Sequence, residues 1–351
     1  MITGSLPFRQ TLSFDDVLLA PKYSEIESRS EIDLSSNISG YNFNFPIISS
    51  PMDTLTEEAM AISMAHHGAL GIVHRYNTIP EQAAIIRKIR SLTDKVSAAV
   101  GVTERFVERA IACHAEGAKI ICIDVAHGHH SNVERAIKSI KDSVIGDSVY
   151  LIAGNVAMPK AFLDLSAWGA DAIRVGIGGG SICSTRIQTG HGVPTLQSVI
   201  ACYIAKMNNN LSTKLIADGG LRNSGDIVKS FAAGADFAML GSMLAGSSDT
   251  PGEVLSDSAG LSYKIYRGMA SAEAQKSWRG RVSSQEGVST TIPYKGDTST
   301  ILKNIEVGIR SGLSYSGARN ISELREKCEF IIQTPAGQGE SSTHISRVST
   351  R

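Results

Sequence analysis

The sequence predicts a single α/β domain folded as a (β/α)8 TIM barrel, and three observations support that fold class. Eight short apolar runs recur along the chain, and a segment of helical length follows each run. The runs are continuous in Ile, Val and Ala, which is typical of parallel strands covered on both faces. The 351 residues accommodate one barrel of about 250 residues with insertions. An open doubly wound sheet is the alternative, which periodicity alone leaves open.

The apolar runs place the predicted strands in chain order. They cover residues 46–50, 69–74, 97–102, 119–124, 149–154, 171–176, 214–218 and 236–241. The helical patterns between them include residues 56–67, 80–91, 104–116 and 132–141. Eight alternations of this kind are the number that a closed barrel requires.

We expect one domain over residues 1–351, with no internal repeat and no inserted module. The barrel core covers about residues 46–246, and a flap with C-terminal helices covers 247–333. Within that part, residues 247–293 are rich in Ser and Gly, which predicts an extended loop after strand eight. The polar tail at 334–351 is either disordered or an arm laid on a neighbouring subunit.

Composition restricts the partners and the compartment of the protein. A formal net charge of zero provides no overall field that would attract nucleic acid or an anionic membrane, so an anionic ligand must be held locally. The N-terminus lacks an apolar signal region, and no apolar run approaches the ~18 residues of a membrane span. Five scattered cysteines without CxxC spacing indicate reduced thiols and a cytoplasmic location.

Polar and glycine residues follow nearly every predicted strand. They are SSPMD at 49–53, HR at 74–75, DVAHG at 124–128, GN at 154–155, GIGGGSIC at 176–183, DGG at 218–220 and GS at 241–242. A barrel builds its active site from the loops at these strand ends. Ordinary strand-to-helix turns would explain only one or two of the seven segments.

The glycine-rich loop at 176–183 is the sharpest of these signals. Four glycines before Ser181 allow backbone N–H groups to approach an anion closely, although a flexible turn is the simpler explanation of such a loop alone. The segments at 218–220 and 241–242 favour a phosphate site. The Asp218 carboxylate suits ribose hydroxyls, and a helix N-cap is its alternative role.

Cys183 ends the glycine-rich loop and is the candidate nucleophile, because nearby amides stabilise a thiolate. Thr185 places a hydroxyl beside it for proton relay. We interpret the other cysteines, Cys113, Cys122, Cys202 and Cys328, as structural. The histidines at 127–130 lack partners at zinc-like spacing, so a polar loop is favoured over a metal site.

Sequence motifs between residues 12 and about 330 resemble those of a known enzyme family. They are LSFDDVLLAP at 12–21, PIISSPMDT at 46–54, IDVAHGH at 123–129, AGNV at 153–156, IRVGIGGGSICSTR at 173–186, IADGG at 216–220, GSMLAG at 241–246 and YRGMAS at 266–271. Together they make the sequence similar to the family of IMP dehydrogenases and GMP reductases. The resemblance implies a homotetrameric barrel that binds a purine nucleoside monophosphate and a nicotinamide cofactor.

The resemblance also implies roles for individual residues. Cys183 would form a covalent thioimidate at purine C2, with Thr185 and Glu286 as the acid–base pair. Asp218 would hold the ribose, and the other substrate-binding positions are Ser50, Met52, Ser181, Gly219, Gly220, Gly241, Ser242, Gly268, Met269, Ala270 and Gly287. The cofactor-binding positions are Ser28, Arg29, Arg75, Asp124, Val125, Ala126, Ile177, Gly178, Ser311, Gly312, Leu313 and Ser314. Backbone carbonyls of Gly178, Gly180, Cys183 and Arg186 match a site for a monovalent cation such as K⁺.

Within the family, the sequence favours the reductase branch. Dehydrogenases resemble one another in an Arg-Tyr dipeptide on a long flap that activates water, and residues 268–286 are short and lack this dipeptide. The stretches at 183–194 and 293–301 have the reductase form, and the regulatory module common in dehydrogenases is absent between residues 74 and 96. Arg174, residues 71–78 and 248–253, and the terminal AGQGESSTHI are dehydrogenase-like, whereas Ala270 matches neither branch.

The expected function is therefore NADPH-dependent reduction of GMP to IMP, with NADH or NAD still open because no acidic ribose reader lies in a Rossmann-type unit. An IMP dehydrogenase without the regulatory module is the first alternative. A non-catalytic purine-nucleotide-binding barrel and a flavin enzyme are the others.

Overall fold

The computed structural model describes residues 9–38, 40–103, 105–282 and 286–341, apart from the side chain of Arg279. Before the barrel the chain forms β1 (Val17–Leu19), β2 (Ser36–Ile38) and β3 (Tyr41–Phe43), and short 3-10 turns at Phe14–Asp16 and Arg29–Glu31. The β2–β3 hairpin is antiparallel. It supplies the apolar side chains that reach the barrel interior.

Eight parallel strands close into the predicted barrel. They are β4 (Ile47–Ser49), β5 (Leu70–Val73), β6 (Ser97–Val100), β7 (Ile120–Asp124), β8 (Tyr150–Val156), β9 (Ala172–Val175), β10 (Lys214–Asp218) and β11 (Phe237–Leu240). Each strand pairs with the next, and β11 pairs with β4, with Met239 opposite Ile48. That last pairing confirms the barrel and rules out the open sheet, because an open sheet leaves its outer strands unpaired.

Helices follow the barrel strands along the chain. They are α1 (Glu58–His66), α2 (Ile79–Arg90), α3 (Phe106–Ala115), α4 (Ser131–Lys141), α5 (Pro159–Trp168), α6 (Thr185–Thr189), α7 (Thr195–Asn208) and α8 (Ser224–Ala232). Local chemistry sets their limits. Thr78 and Glu81 form a capping box at the start of α2, and Gly169 ends α5 in the left-handed conformation. The predicted strands and helices agree with these bounds to within about two residues.

Two layers of apolar side chains form the core. Strand residues that point outward pack against the helices, and those that point inward, such as Ile48, Ile152 and Phe237, fill the barrel. Phe43 of the β2–β3 hairpin meets Phe237 edge-on with ring centroids 5.8 Å apart. Because these side chains fill the interior, the space for a ligand lies at the opposite, carboxyl end of the strands.

After the barrel the chain is more regular than the Ser- and Gly-rich sequence predicts. It forms β12 (Leu255–Ser256), β13 (Ser262–Arg267), α9 (Ala272–Arg279), β14 (Ser289–Pro293), α10 (Thr298–Tyr315), α11 (Ile321–Lys327), β15 (Phe330–Ile332) and α12 (Pro335–Gly339). The first three of these strands make an antiparallel sheet instead of an extended loop. Alternation in β13, where Lys264 and Tyr266 are buried between less buried neighbours, explains the strand.

The last segments return to the barrel. Strand β15 pairs with β1, with Ile331 opposite Leu18. The short helix α12 lies at the start of the predicted polar tail, and the rest of that tail, from residue 342, falls outside the described residues. Within the described part of the chain, no helix has the length and apolarity needed to cross a membrane.

Candidate active site

A cavity of about 390 Å³ opens at the carboxyl ends of the barrel strands. It is lined by the three predicted catalytic residues Cys183, Thr185 and Glu286. Its wall also contains all the predicted substrate-binding residues, namely Ser50, Met52, Ser181, Asp218, Gly219, Gly220, Gly241, Ser242, Gly268, Met269, Ala270 and Gly287. Six of the predicted cofactor-binding residues line it as well, namely Arg75, Asp124, Val125, Ala126, Ile177 and Gly178.

Cys183, Thr185 and Glu286 form a continuous hydrogen-bonded chain. The Cys183 Sγ–H donates to Thr185 Oγ1 at 3.2 Å, and Thr185 Oγ1 donates to Glu286 Oε2 at 2.9 Å. A hydroxyl can accept one proton while it donates another, so this chain connects the thiol to the carboxylate. The arrangement can take a proton from the thiol and return it to a leaving group.

Backbone contacts hold the three hydrogen-bonded residues Cys183, Thr185 and Glu286 in place. Ser184 N donates to the Glu286 carbonyl at 3.0 Å, and Cys183 and Gly287 form an isolated antiparallel bridge. Thr185 is the first residue of α6 and is only 9% exposed. The post-barrel segment that carries Glu286 is therefore attached directly to the loop that carries the thiol.

The cradle beside the thiol is built from glycines that approach one another closely. Gly219 and Gly220 have φ of +89° and +81°, which favours glycine. A Cβ on Gly219 would lie 3.1 Å from the backbone nitrogen of Gly180, and one on Gly179 would lie 2.4 Å from Thr195 Oγ1. Backbone amides can surround an anion here because no side chains intervene.

Tyr266 is a residue of this cradle that the sequence analysis missed. A Cβ on Gly241 would lie 2.8 Å from the Tyr266 hydroxyl, which shows how closely that hydroxyl approaches the loop after β11. Burial raises the pKa of Tyr266 to about 12, against a smaller lowering effect of Ser181. The phenol therefore stays protonated and can donate to an anion. The alternation of residues 262–267 was the available signal.

Arg174 joins the two carboxylates on the floor of the cavity. Its Nη1 donates to Asp124 Oδ1 at 2.6 Å and its Nη2 to Asp218 Oδ2 at 2.8 Å. Asn155 Nδ2 donates to the same Asp218 Oδ2 at 2.7 Å. Burial disfavours the charged guanidinium, but the two carboxylates outweigh it, so the pKa of Arg174 is raised. Among the described residues, nothing hydrogen-bonds Asp218 Oδ1, which leaves that oxygen for a ligand.

Contacts from Tyr76 and α9 hold residues 268–270. The Tyr76 hydroxyl donates to the Met269 carbonyl at 2.7 Å, and the Tyr76 ring stacks on Trp278 of α9 with centroids 5.9 Å apart. Gln275 Nε2 donates to the Ala270 carbonyl at 3.0 Å. The sequence analysis did not name Tyr76 or Gln275 as site residues, because neither residue lies in a motif with a recognisable chemical role.

The remaining predicted cofactor residues lie elsewhere in the chain. Ser28 caps the turn at Arg29–Glu31, and Ser311, Gly312, Leu313 and Ser314 belong to α10. The Leu313 side chain is fully buried in the core, so it does not reach a cavity of its own chain. Within a single subunit these six residues lie outside the wall of the cavity that contains Cys183. Their contact with a cofactor stays a prediction.

The predicted cation site also stays a prediction. The Gly180 carbonyl accepts from Cys183 N at 3.1 Å, and the Arg186 carbonyl accepts from Gly190 N at 3.0 Å. Each carbonyl retains a second lone pair for a cation. The Arg186 side chain packs over Gly178 and donates to the Val193 carbonyl at 2.9 Å.

The other cysteines and the histidine loop lie outside the cavity. Burial raises the pKa of Cys113, Cys122 and Cys202 to about 12, which makes these thiols unreactive. His129 pairs with Asp164 at 2.8 Å. Among the described residues there is no group of three or more His, Cys, Asp or Glu side chains that could hold a metal ion.

The fold and the site define a (β/α)8-barrel enzyme with a cysteine thiol beside a glycine-lined cradle. The chain belongs to the IMP dehydrogenase / GMP reductase family, whose domain model matches residues 11–344. It is thus an NAD(P)-dependent oxidoreductase of purine metabolism.

Relatives from both branches are similar to the chain. An inosine-5'-monophosphate dehydrogenase of Nitrosopumilus maritimus is 33% identical over 97% of this chain and 99% of its own length. A GMP reductase of Phytophthora infestans is 36% identical over 91% of this chain and 90% of its own length. A cysteine-to-alanine variant of GMP reductase from Trypanosoma brucei, solved with guanosine 5'-monophosphate, superposes with a TM-score of 0.90 at 29% identity, covering 97% of this chain and 99% of that one. Similarity alone does not choose the branch.

Proposed function

We propose that this protein is a GMP reductase, which converts GMP, NADPH and two protons into IMP, NADP⁺ and ammonium. The observation that carries the proposal is the 268–286 segment, which lacks an Arg-Tyr dipeptide and forms α9, stacked on Tyr76 through Trp278. Hydrolysis of a covalent purine adduct needs an activated water, and the sequence of this segment holds no Arg-Tyr dipeptide for that task. Ammonia release followed by hydride addition needs no such water.

The proposed first step forms a bond between Cys183 Sγ and purine C2 and breaks the bond from C2 to the 2-amino group. Thr185 and Glu286 take the thiol proton and deliver a proton to the departing amine along their hydrogen-bonded chain. Proton transfer by such positioned groups contributes about 10²–10⁴ in rate. The product of this step is a thioimidate on Cys183 with ammonia released.

In the second step hydride adds to C2, and the C2–Sγ bond breaks so that Cys183 leaves as a thiolate. A reduced nicotinamide supplies the hydride when it is bound. Arg75, Asp124, Val125, Ala126, Ile177 and Gly178 fit its site, because they line the same cavity as Cys183. We propose NADPH as the donor, a monovalent cation at the carbonyls of the cysteine loop, and a homotetramer whose neighbouring subunits contribute Ser28, Arg29 and residues 311–314.

The remaining cavity residues fit the nucleotide. The free Oδ1 of Asp218 suits a ribose hydroxyl, and the glycine cradle with Ser181, Ser242 and Tyr266 suits the phosphate. Backbone groups at residues 268–270 and 287 face the cavity where the base would lie. The guanosine 5'-monophosphate in the Trypanosoma brucei structure supports this assignment.

A paired absorbance assay at the nicotinamide band tests the proposal. GMP with NADPH should lose absorbance, whereas IMP with NAD should gain none. Oxidation of IMP without reduction of GMP would establish the dehydrogenase, which Arg174 and the dehydrogenase relatives favour. Binding of both nucleotides without turnover would instead establish a non-catalytic barrel.

A further inference from the structure

The glycine cradle beside Cys183, which is proposed to bind the phosphate, has few positively charged side chains near it. Among the described residues that line the cavity, the lysines and arginines are Arg75 and Arg174. Arg174 is paired with Asp124 and Asp218, and Arg75 Nε lies 3.6 Å from Asp124. These cations are committed to carboxylates on the floor of the cavity. A phosphate carries about two negative charges at neutral pH, so its cradle needs another source of positive potential.

Lys295 lies directly behind the cradle. Its Nζ donates to the carbonyls of Ser242 at 2.5 Å and Met243 at 3.2 Å. Its backbone N–H donates to the Gly246 carbonyl at 2.8 Å, so the whole residue is fastened to the loop after β11. Lys295 itself belongs to the link between β14 and α10.

This contact orients the amides of the loop. The Gly241 carbonyl accepts from Leu244 N at 3.1 Å and Ala245 N at 3.0 Å, which closes a single turn. The amide N–H groups of Ser242 and Met243 at the start of this turn have no acceptor in the described part of the chain. In a planar trans peptide the N–H points away from the carbonyl. Because Lys295 holds the Ser242 carbonyl, the Met243 N–H faces the other way.

We propose that Lys295 is a positioning residue that makes the cradle selective for the phosphate of the nucleotide. Its ammonium fixes the carbonyls of Ser242 and Met243, adds positive potential behind the loop, and leaves the amides free for the phosphate. This inference rests on the proposed function only in that the ligand is a purine nucleoside monophosphate, which both reactions of the family share.

Calorimetric titration without cofactor tests the proposal with GMP and guanosine, which differ only in the phosphate. Lys295→Met should raise the Kd of GMP about tenfold, which corresponds to about 1.4 kcal/mol. The Kd of guanosine should stay within about twofold, and Lys295→Arg should recover most of the GMP affinity. Lys303→Met is the matched control, because Lys303 is an exposed lysine of α10 paired with Glu306.

Two results would overturn the proposal. An unchanged GMP Kd in Lys295→Met would show that the ammonium does not serve the phosphate, and an equal loss for GMP and guanosine would show a merely structural role. Should Lys295→Met fail to fold, Lys295→Gln and Lys295→Arg give the same comparison. If the absorbance assay shows a dehydrogenase, the same titration is carried out with IMP and inosine as the two ligands. The comparison then tests the role of Lys295 in the same way.

Discussion

Thr185 Oγ1 lies 2.9 Å from Glu286 Oε2, although 101 positions separate the two residues along the chain. The same hydroxyl accepts a hydrogen bond from the Cys183 thiol. This contact joins the barrel loop after β9 to the segment between α9 and β14, together with the backbone hydrogen bond from Ser184 to Glu286. The proposed proton path depends on that junction, because neither segment holds an acid–base pair by itself.

Replacement of the nucleophile separates chemistry from binding. Cys183→Ala should reduce turnover to background, because no bond to purine C2 can form, while the Kd of GMP stays within about threefold. Absorbance at the nicotinamide band and calorimetry measure the two effects. Cys328→Ala is the control, since Cys328 lies outside the cavity wall. Measurable turnover by Cys183→Ala would dismiss covalent catalysis.

Thr185 and Glu286 should act as one unit. Thr185→Val and Glu286→Gln should each lower kcat by about 10²–10⁴, because each variant interrupts the same proton path. The double variant should be little slower than either single variant, as is usual for residues that act together. Steady-state kinetics with GMP and NADPH measure the three rates. Additive effects would contradict a shared path.

Tyr76 should matter for substrate affinity more than for chemistry. Tyr76→Phe removes the hydrogen bond to the Met269 carbonyl but keeps the ring stacked on Trp278, so KM for the nucleotide should rise several-fold with kcat nearly unchanged. Trp278→Leu removes the stacking instead, and should lower kcat because α9 precedes the segment that holds Glu286. The same KM and kcat in both variants would show that the two contacts do not act separately.

Asp236 should make the free energy of unfolding depend on pH in the acidic range. Burial alone would raise its pKa, but Lys206 at 2.9 Å and Arg325 at 3.2 Å lower it below the usual 3.8. A carboxyl with a lowered folded-state pKa stabilises the fold above its unfolded pKa, and that contribution is lost as pH falls below about 4. Asp236→Asn should lower the free energy of unfolding by about 3–5 kcal/mol at pH 7, because Lys206 and Arg325 lose their carboxylate partner.

Urea unfolding from pH 7 to pH 3 measures this effect. The wild type should lose stability steeply below pH 4, and Asp236→Asn should show a shallower slope there. Lys138→Met, which breaks an exposed pair with Glu134, is the control and should keep the wild-type slope. Parallel slopes for the wild type and Asp236→Asn would show that another group controls acid unfolding.

The barrel was predictable because its signal is local. Each strand is a short, continuous apolar run, and eight such runs with helices between them satisfy few architectures. The glycine loop and Cys183 were readable for the same reason, since close backbone approach and a nucleophile occupy neighbouring positions there. Glu286 was assigned through the family resemblance, because a glutamate in a Ser- and Gly-rich segment has no local signature.

The fold class and the strand ends that line the cavity follow from the sequence, which also singles out Cys183. The folded chain was needed to show that Tyr266 lies beside Gly241, Tyr76 at Met269 and Lys295 behind Ser242. It also shows the geometry of the contact between Thr185 and Glu286, a pair that the family resemblance had already named. The two kinds of information differ because periodicity and loop chemistry are properties of neighbours in the chain. A hydrogen bond between residues a hundred positions apart depends on how the post-barrel segment packs against the barrel.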